Sequence, residues 1–136
     1  MRTIKFRGKK TTNDVWVYGS FVCSNDLDAA IYYQKGNGSV KSMDWVYVKP
    51  ETIGQYTGLL DKNGKEIYEG DIITCINKSD SVYEIGRQMI GFVAYEENGC
   101  YWFCKNNFQH YNDWAFADDI EVIGNIYDNK DLIKGE

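Results

Sequence analysis

A chain of 136 residues, 43% hydrophobic and 15% aromatic, has the apolar mass for one compact unit, or for two very small ones sharing a core. Eleven Tyr, six Phe and four Trp beside thirteen Gly and a single Pro exclude a disordered chain and point to an all-β protein with tight turns. A formal charge of −5 argues against a surface built to grip a phosphate backbone.

The first predicted strand covers Thr3–Arg7, with Ile4 and Phe6 on one face and Lys5 and Arg7 on the other. It alternates without the apolar run of a signal peptide. No later run approaches the ~20 apolar residues of a membrane helix. A cytoplasmic protein with reduced cysteines is therefore expected. Gly8–Asp14 reads as a polar turn. Lys5, Arg7, Lys9 and Lys10 form the one local basic patch, which fits a solvated strand and turn. Val15–Tyr18 and Phe21–Cys23 make a second strand, and Gly19 between them marks a bulge. Ala30–Tyr33 is a third strand. Lys35–Ser39 is a hairpin tip, and Val40–Val48 returns as a strand with Trp45 and Tyr47 facing away from Val46 and Val48.

Pro50 is a natural segment end, because the residue before a proline is driven to an extended conformation. It separates an N-terminal β region (1–50) from a second region (51–136) packed against it, the two forming one compact unit. Thr52–Tyr56 is a short strand. Asn63-Gly64 is a two-residue turn of the kind that closes a type I′ hairpin. The Glu69-Gly70-Asp71 turn then feeds the β-branched strand Ile72–Ile76, as at the start of many small five-stranded barrels. Val82–Ile90 reads as extended. Phe92–Tyr95 and Cys100–Phe103 flank a second hairpin at Asn98-Gly99. Lys105–Asn112 reads as a polar irregular loop, and Glu121–Tyr127 as the last strand. One helical turn follows over Asp128–Ile133, capped by Asp128 or Asn129. Thr52–Tyr56 echoes Val122–Tyr127, and two such glycine-bearing strands are able to lie side by side.

Three blocks together resemble the YopX family. Ile4–Lys9 with Trp16–Gly19 is similar to its opening, Glu51–Asp71 to its central signature, and Val122–Asn129 to its ending. The resemblance implies a protein encoded by bacteriophages and prophages, mostly β, with a small SH3-like barrel region closed by the C-terminal strand. It implies no catalytic residues.

The chemistry-bearing residues form no recognisable constellation. Cys100 and Cys104 lie on a predicted strand with Cα atoms ~13 Å apart, too far to act as a local zinc pair. Cys23 and Cys75 also fall in strands, so four reduced thiols, no metal and no cofactor are expected. His110, the only histidine, lies in an amide-rich stretch. The carboxylates gather at turns and strand edges. A non-enzymatic protein is expected, with a small hydrolase as a remote alternative. The aromatic and amide-rich segment Tyr101–Phe116 is the best binding candidate. Within it Phe108, His110, Tyr111 and Trp114 are the residues expected to meet a protein partner, host or phage, or a second copy. The rival is a nucleic-acid-binding barrel, which would need Lys5, Arg7, Lys9, Lys10 and Lys105 gathered beside exposed aromatics.

Overall fold

The computed structural model describes residues 3–23, 28–36, 39, 41–77, 88–95, 101–106, 109–111 and 117–133. Among them the chain forms eleven strands: β1 (Phe6–Lys9), β2 (Trp16–Cys23), β3 (Ala29–Lys35), β4 (Ser42–Tyr47), β5 (Gly54–Leu60), β6 (Glu66–Tyr68), β7 (Asp71–Asn77), β8 (Gln88–Tyr95), β9 (Tyr101–Asn106), β10 (Gln109–Tyr111) and β11 (Ala117–Asn125). Single 3-10 turns cover Pro50–Thr52 and Lys130–Leu132. The protein is mostly β, as its composition implies. It divides into two compact units, Met1–Gly58 and Leu59–Glu136.

In the first unit the sheet order is β4-β3-β2-β1-β5, with antiparallel pairing throughout. Alternation sends one face of each strand inward. Ala29, Ile31 and Val48 are fully buried, and Phe6, Val17, Phe21, Val46 and Ile53 pack on them. Two expectations for the first strand fail. Ile4 lies ahead of β1 and is exposed, while Arg7 is only 5% exposed because its guanidinium lies against the Trp16 ring. Gly19 makes no bulge: β2 runs through it in register with Phe6. A Cβ at Gly19 would come within 2.0 Å of the Tyr32 carbonyl oxygen, so glycine is required by the close approach of β3. Pro50 opens a 3-10 turn. There the Thr52 hydroxyl donates to Lys49 O at 2.7 Å and accepts from Lys9 N at 2.9 Å, tying the turn to β1.

In the second unit the end of β5 and all of β6 flank the Asn63-Gly64 turn. Gly64 alone takes a positive φ, +83°, and its N–H donates to Asp61 O at 3.0 Å. The turn is therefore not type I′, which needs positive φ at both central residues. Asp61 explains the change, since its carboxylate accepts from the backbone N–H of Asn63 and Lys65 and holds the loop in the other hand. Gly70 has φ +89° and leads into β7. The second sheet has the order β10-β9-β8-β7-β11. The last strand thus returns beside the first of its sheet, as fits a small barrel-like fold. Among the described residues the sheet is not closed, where closure by the C-terminal strand was expected: β11 ladders onto β7 and β10 onto β9. Ile67, Tyr68, Ile72, Ile73, Cys75 and Val93 are buried in this unit.

Several local readings change. β8 and β9 pair as a hairpin, with Tyr95 opposite Tyr101, while Asn98-Gly99 lies outside the described residues. The expected loop after Lys105 is instead another hairpin, in which β10 satisfies its backbone against β9 and places His110 opposite Lys105. In place of the expected pairing of Thr52–Tyr56 with Val122–Tyr127, β5 pairs with β1 and β11 with β7. The C-terminal turn is present with Asn129 at its N-cap position, as expected, but without a side-chain cap hydrogen bond. Asn129 Oδ1 accepts from Asn125 N at 3.1 Å, and Asp128 Oδ2 accepts from Asn125 Nδ2 at 3.1 Å.

Candidate functional site

The register of the first sheet fixes what lies on its outer face, because directly opposed residues share a face. On β1 and β2, Arg7 stands opposite Tyr18 and Lys9 opposite Trp16. On β2 and β3, Ser20 faces Tyr32 and Val22 faces Ala30. On β3 and β4, Tyr32 faces Trp45, Ala30 faces Tyr47 and Gln34 faces Met43. One continuous face therefore carries cations at β1 and large aromatic or apolar side chains from β2 to β4. Tyr18 and Trp45 are each 44% exposed and Tyr47 is 50% exposed, and Val22 and Met43 are exposed too. Exposed apolar groups scattered singly mean little; a contiguous run on one sheet face marks an interaction surface.

The rings and cations hold one another in place. The Trp45 ring meets Tyr47 edge-on at 4.9 Å between centroids and stacks on Tyr32 at 6.2 Å. The Arg7 guanidinium lies 4.6 Å from the Trp16 ring centre, Lys9 Nζ 5.4 Å from the same ring, and Lys5 Nζ 6.0 Å from the Tyr18 ring. Such contacts favour a cation over an aromatic face by about 0.5–2 kcal/mol each. The only carboxylate in β1–β4 is Asp44, on the opposite face from Trp45, where it accepts from Tyr33 Oη at 3.3 Å and from Trp45 N at 2.8 Å.

Charge is divided unevenly along the chain. Residues 1–58 carry eight Lys or Arg against five Asp or Glu, a formal +3. Residues 59–136 carry seven against fifteen, a formal −8. The net −5 thus hides a first unit of the opposite sign, and that unit bears the aromatic face.

Of the residues expected to meet a partner, Phe108 and Trp114 lie outside the described residues, and His110 and Tyr111 share the edge strand β10. The basic patch is partly gathered. Lys5, Arg7 and Lys9 line up beside Trp16 and Tyr18, Lys10 follows β1 with its backbone paired to Val48, and Lys105 belongs to β9 in the second unit. The outer face as a whole escaped the sequence reading, although its signal was there: Trp16 and Tyr18, then Trp45 and Tyr47, each alternate with valines.

The buried carboxylates serve the backbone. Asp61 Oδ1 accepts from Asn63 N at 2.8 Å and Lys65 N at 2.9 Å, and its Oδ2 accepts from Val122 N at 3.0 Å. Burial pushes the Asp61 pKa up, but these three donors and the nearby Lys65 charge outweigh it and hold the group below its usual range. Asp71 Oδ2 accepts from Tyr68 N at 2.8 Å across the turn. Cys23 is an exposed thiol and Cys75 a buried one. Among the described residues no three His, Cys, Asp or Glu side chains converge as a metal site would require, and no helix is long and apolar enough to cross a membrane.

The family model described as YopX protein matches residues 5–134. No curated protein matches the sequence. The chain is similar to the crystal structure of protein EF1440 from Enterococcus faecalis, with 27% identity, a TM-score of 0.54, and coverage of 98% of this chain and 100% of that one.

Proposed function

The chain belongs to the YopX family, and we propose that it is a non-enzymatic binding module acting on a protein partner through the outer face of its first sheet. The observation that carries this reading is the run of exposed Tyr18, Val22, Met43, Trp45 and Tyr47 on one face. Trp, Tyr, Met and Arg are the residues enriched in protein interfaces, and rigid aromatic anchors supply most of their binding energy. Among the described residues the carboxylates buried deeply enough to be tuned for chemistry, Asp61 and Asp71, are instead committed to backbone N–H groups. The family resemblance supports a phage or prophage accessory role in the cytoplasm of a bacterial host.

A second reading, single-stranded nucleic acid, is favoured by the gathering of Lys5, Arg7 and Lys9 beside Trp16 and Tyr18. It is the weaker one. Arg7 is almost fully covered, and counterion release needs cations that reach phosphates.

A photo-crosslinking residue placed at Tyr47, and in a control at Lys130, tests this inside the cells that make the protein. The expected result is a protein adduct at position 47 that is absent at 130. Adducts with nucleic acid at 47, or identical protein adducts at both positions, would overturn it.

A further inference from the structure

Resting on the protein-binding reading above, we propose that the partner presents an acidic, extended segment carrying a large apolar side chain. Its carboxylates lie along β1 and its apolar anchor lies on the Trp45–Tyr47 pair.

The charge of the face sets the sign. Its strands carry cations at β1, and the one carboxylate among them, Asp44, sits on the other side of the sheet. The surrounding unit is formally +3 in a chain whose remainder is −8, so an anionic partner is drawn to this unit rather than to the second. Spacing sets the shape. Lys5, Arg7 and Lys9 are alternate residues of an extended segment, so their Cα atoms repeat every ~6.6 Å. A second extended chain repeats its own side chains on one face at the same interval, so acidic residues four positions apart meet Lys5 and Lys9 in step, on either side of the covered Arg7. Lys5 and Lys9, half-buried with their ammonium groups over the Tyr18 and Trp16 rings, are already ordered, so binding costs them little further side-chain entropy.

The anchor follows from the far side of the face. Trp45 and Tyr47 meet edge-on at β4, the terminal strand of the sheet order, with exposed Met43 beside them. Two rigid rings and a flexible thioether suit a large apolar or aromatic side chain. A nucleic acid fits this arrangement less well. It asks for many exposed cations along a backbone, whereas a few carboxylates need only the two lysines.

Selection from a random dodecapeptide library on the immobilised full chain tests the assignment. Three proteins are compared: wild type, the double variant Trp45→Ser with Tyr47→Ser, and the charge reversal Lys5→Glu with Lys9→Glu, each checked for an unchanged far-ultraviolet spectrum. Should the serine variant misfold, Tyr47→Gln replaces it. The expected result is enrichment on wild type of net-negative peptides containing Trp, Phe or Leu, with each variant weakening the best peptide roughly tenfold or more. Enrichment of neutral or basic peptides that still require Trp45 and Tyr47 overturns the acidic assignment and leaves the protein-binding reading intact. If no peptide depends on the face, both fall; sub-micromolar binding of a labelled oligonucleotide by the same face would then name the rival.

Discussion

Replacing Asp61 should unfasten the second unit. Its carboxylate ties the turn after β5 to β11 by accepting from three backbone N–H groups, two in the turn and one, Val122 N, far along the chain. Hydrogen bonds to a charged group contribute about 1.5–3 kcal/mol each, and a buried donor left without an acceptor costs about 1–3 kcal/mol. The amides of Asn63 and Lys65 belong to exposed residues and regain water when the carboxylate goes, whereas that of half-buried Val122 is less easily rehydrated. Asp61→Ala should therefore cost about 3 kcal/mol rather than the full sum of three bonds. Asp61→Asn should cost about 2 kcal/mol, because its amide keeps one oxygen for the turn but points an NH2 group at the Val122 N–H.

Urea unfolding at neutral pH, followed by tryptophan fluorescence, reads these values. With a slope of about 1.5–2 kcal/mol per molar, Asp61→Ala moves the midpoint down by roughly 1.5–2 M. The pH dependence supplies a second check. Since folding lowers the Asp61 pKa, its contribution is complete above the unfolded value of about 3.9 and is lost as pH falls through the folded value. The gap between wild type and Asp61→Ala should thus be constant near neutrality and close in acid below pH 4 or so. A neutral-pH difference under about 1 kcal/mol, or a gap that persists undiminished in acid, refutes the reasoning.

Gly19→Ala forces a Cβ onto the Tyr32 carbonyl and should lower the thermal midpoint by roughly 10 °C; an unchanged midpoint would show that β2 and β3 separate easily. Iodoacetamide on the native protein, mapped by mass spectrometry, should label exposed Cys23 within minutes and buried Cys75 only after denaturation, and equal labelling would contradict the placement of β7. Fluorescence anisotropy at physiological salt should show no sub-micromolar binding of single-stranded DNA or RNA, since the cations of the outer face lie against rings and number few.

The strands themselves were largely legible. Val46 and Val48 alternate with Trp45 and Tyr47, and the buried set follows from that alternation alone. What depended on a partner strand was not. Arg7 reads as solvated until the register sets Lys9 opposite Trp16 and brings the guanidinium over the indole. The Asn63-Gly64 turn was visible, but its hand is decided by the Asp61 side chain, a contact that turn propensities do not contain. His110 and Tyr111 lie in a polar stretch without strong alternation, and only the pairing of β10 with β9 makes them a strand. The site was hidden by a sum: a net charge of −5 conceals a basic first unit, and the cations and aromatics that share one face come from segments 5–9, 16–22, 30–34 and 43–47.

Affinity capture decides most directly whether the outer face is where this protein works. Wild type and the Trp45→Ser, Tyr47→Ser variant, both folded, are used as bait in extracts of the cells that make the protein, and the captured proteins are quantified by mass spectrometry. At least one protein held by wild type should be lost from the variant. If both baits retain the same proteins in the same amounts, binding does not run through this face.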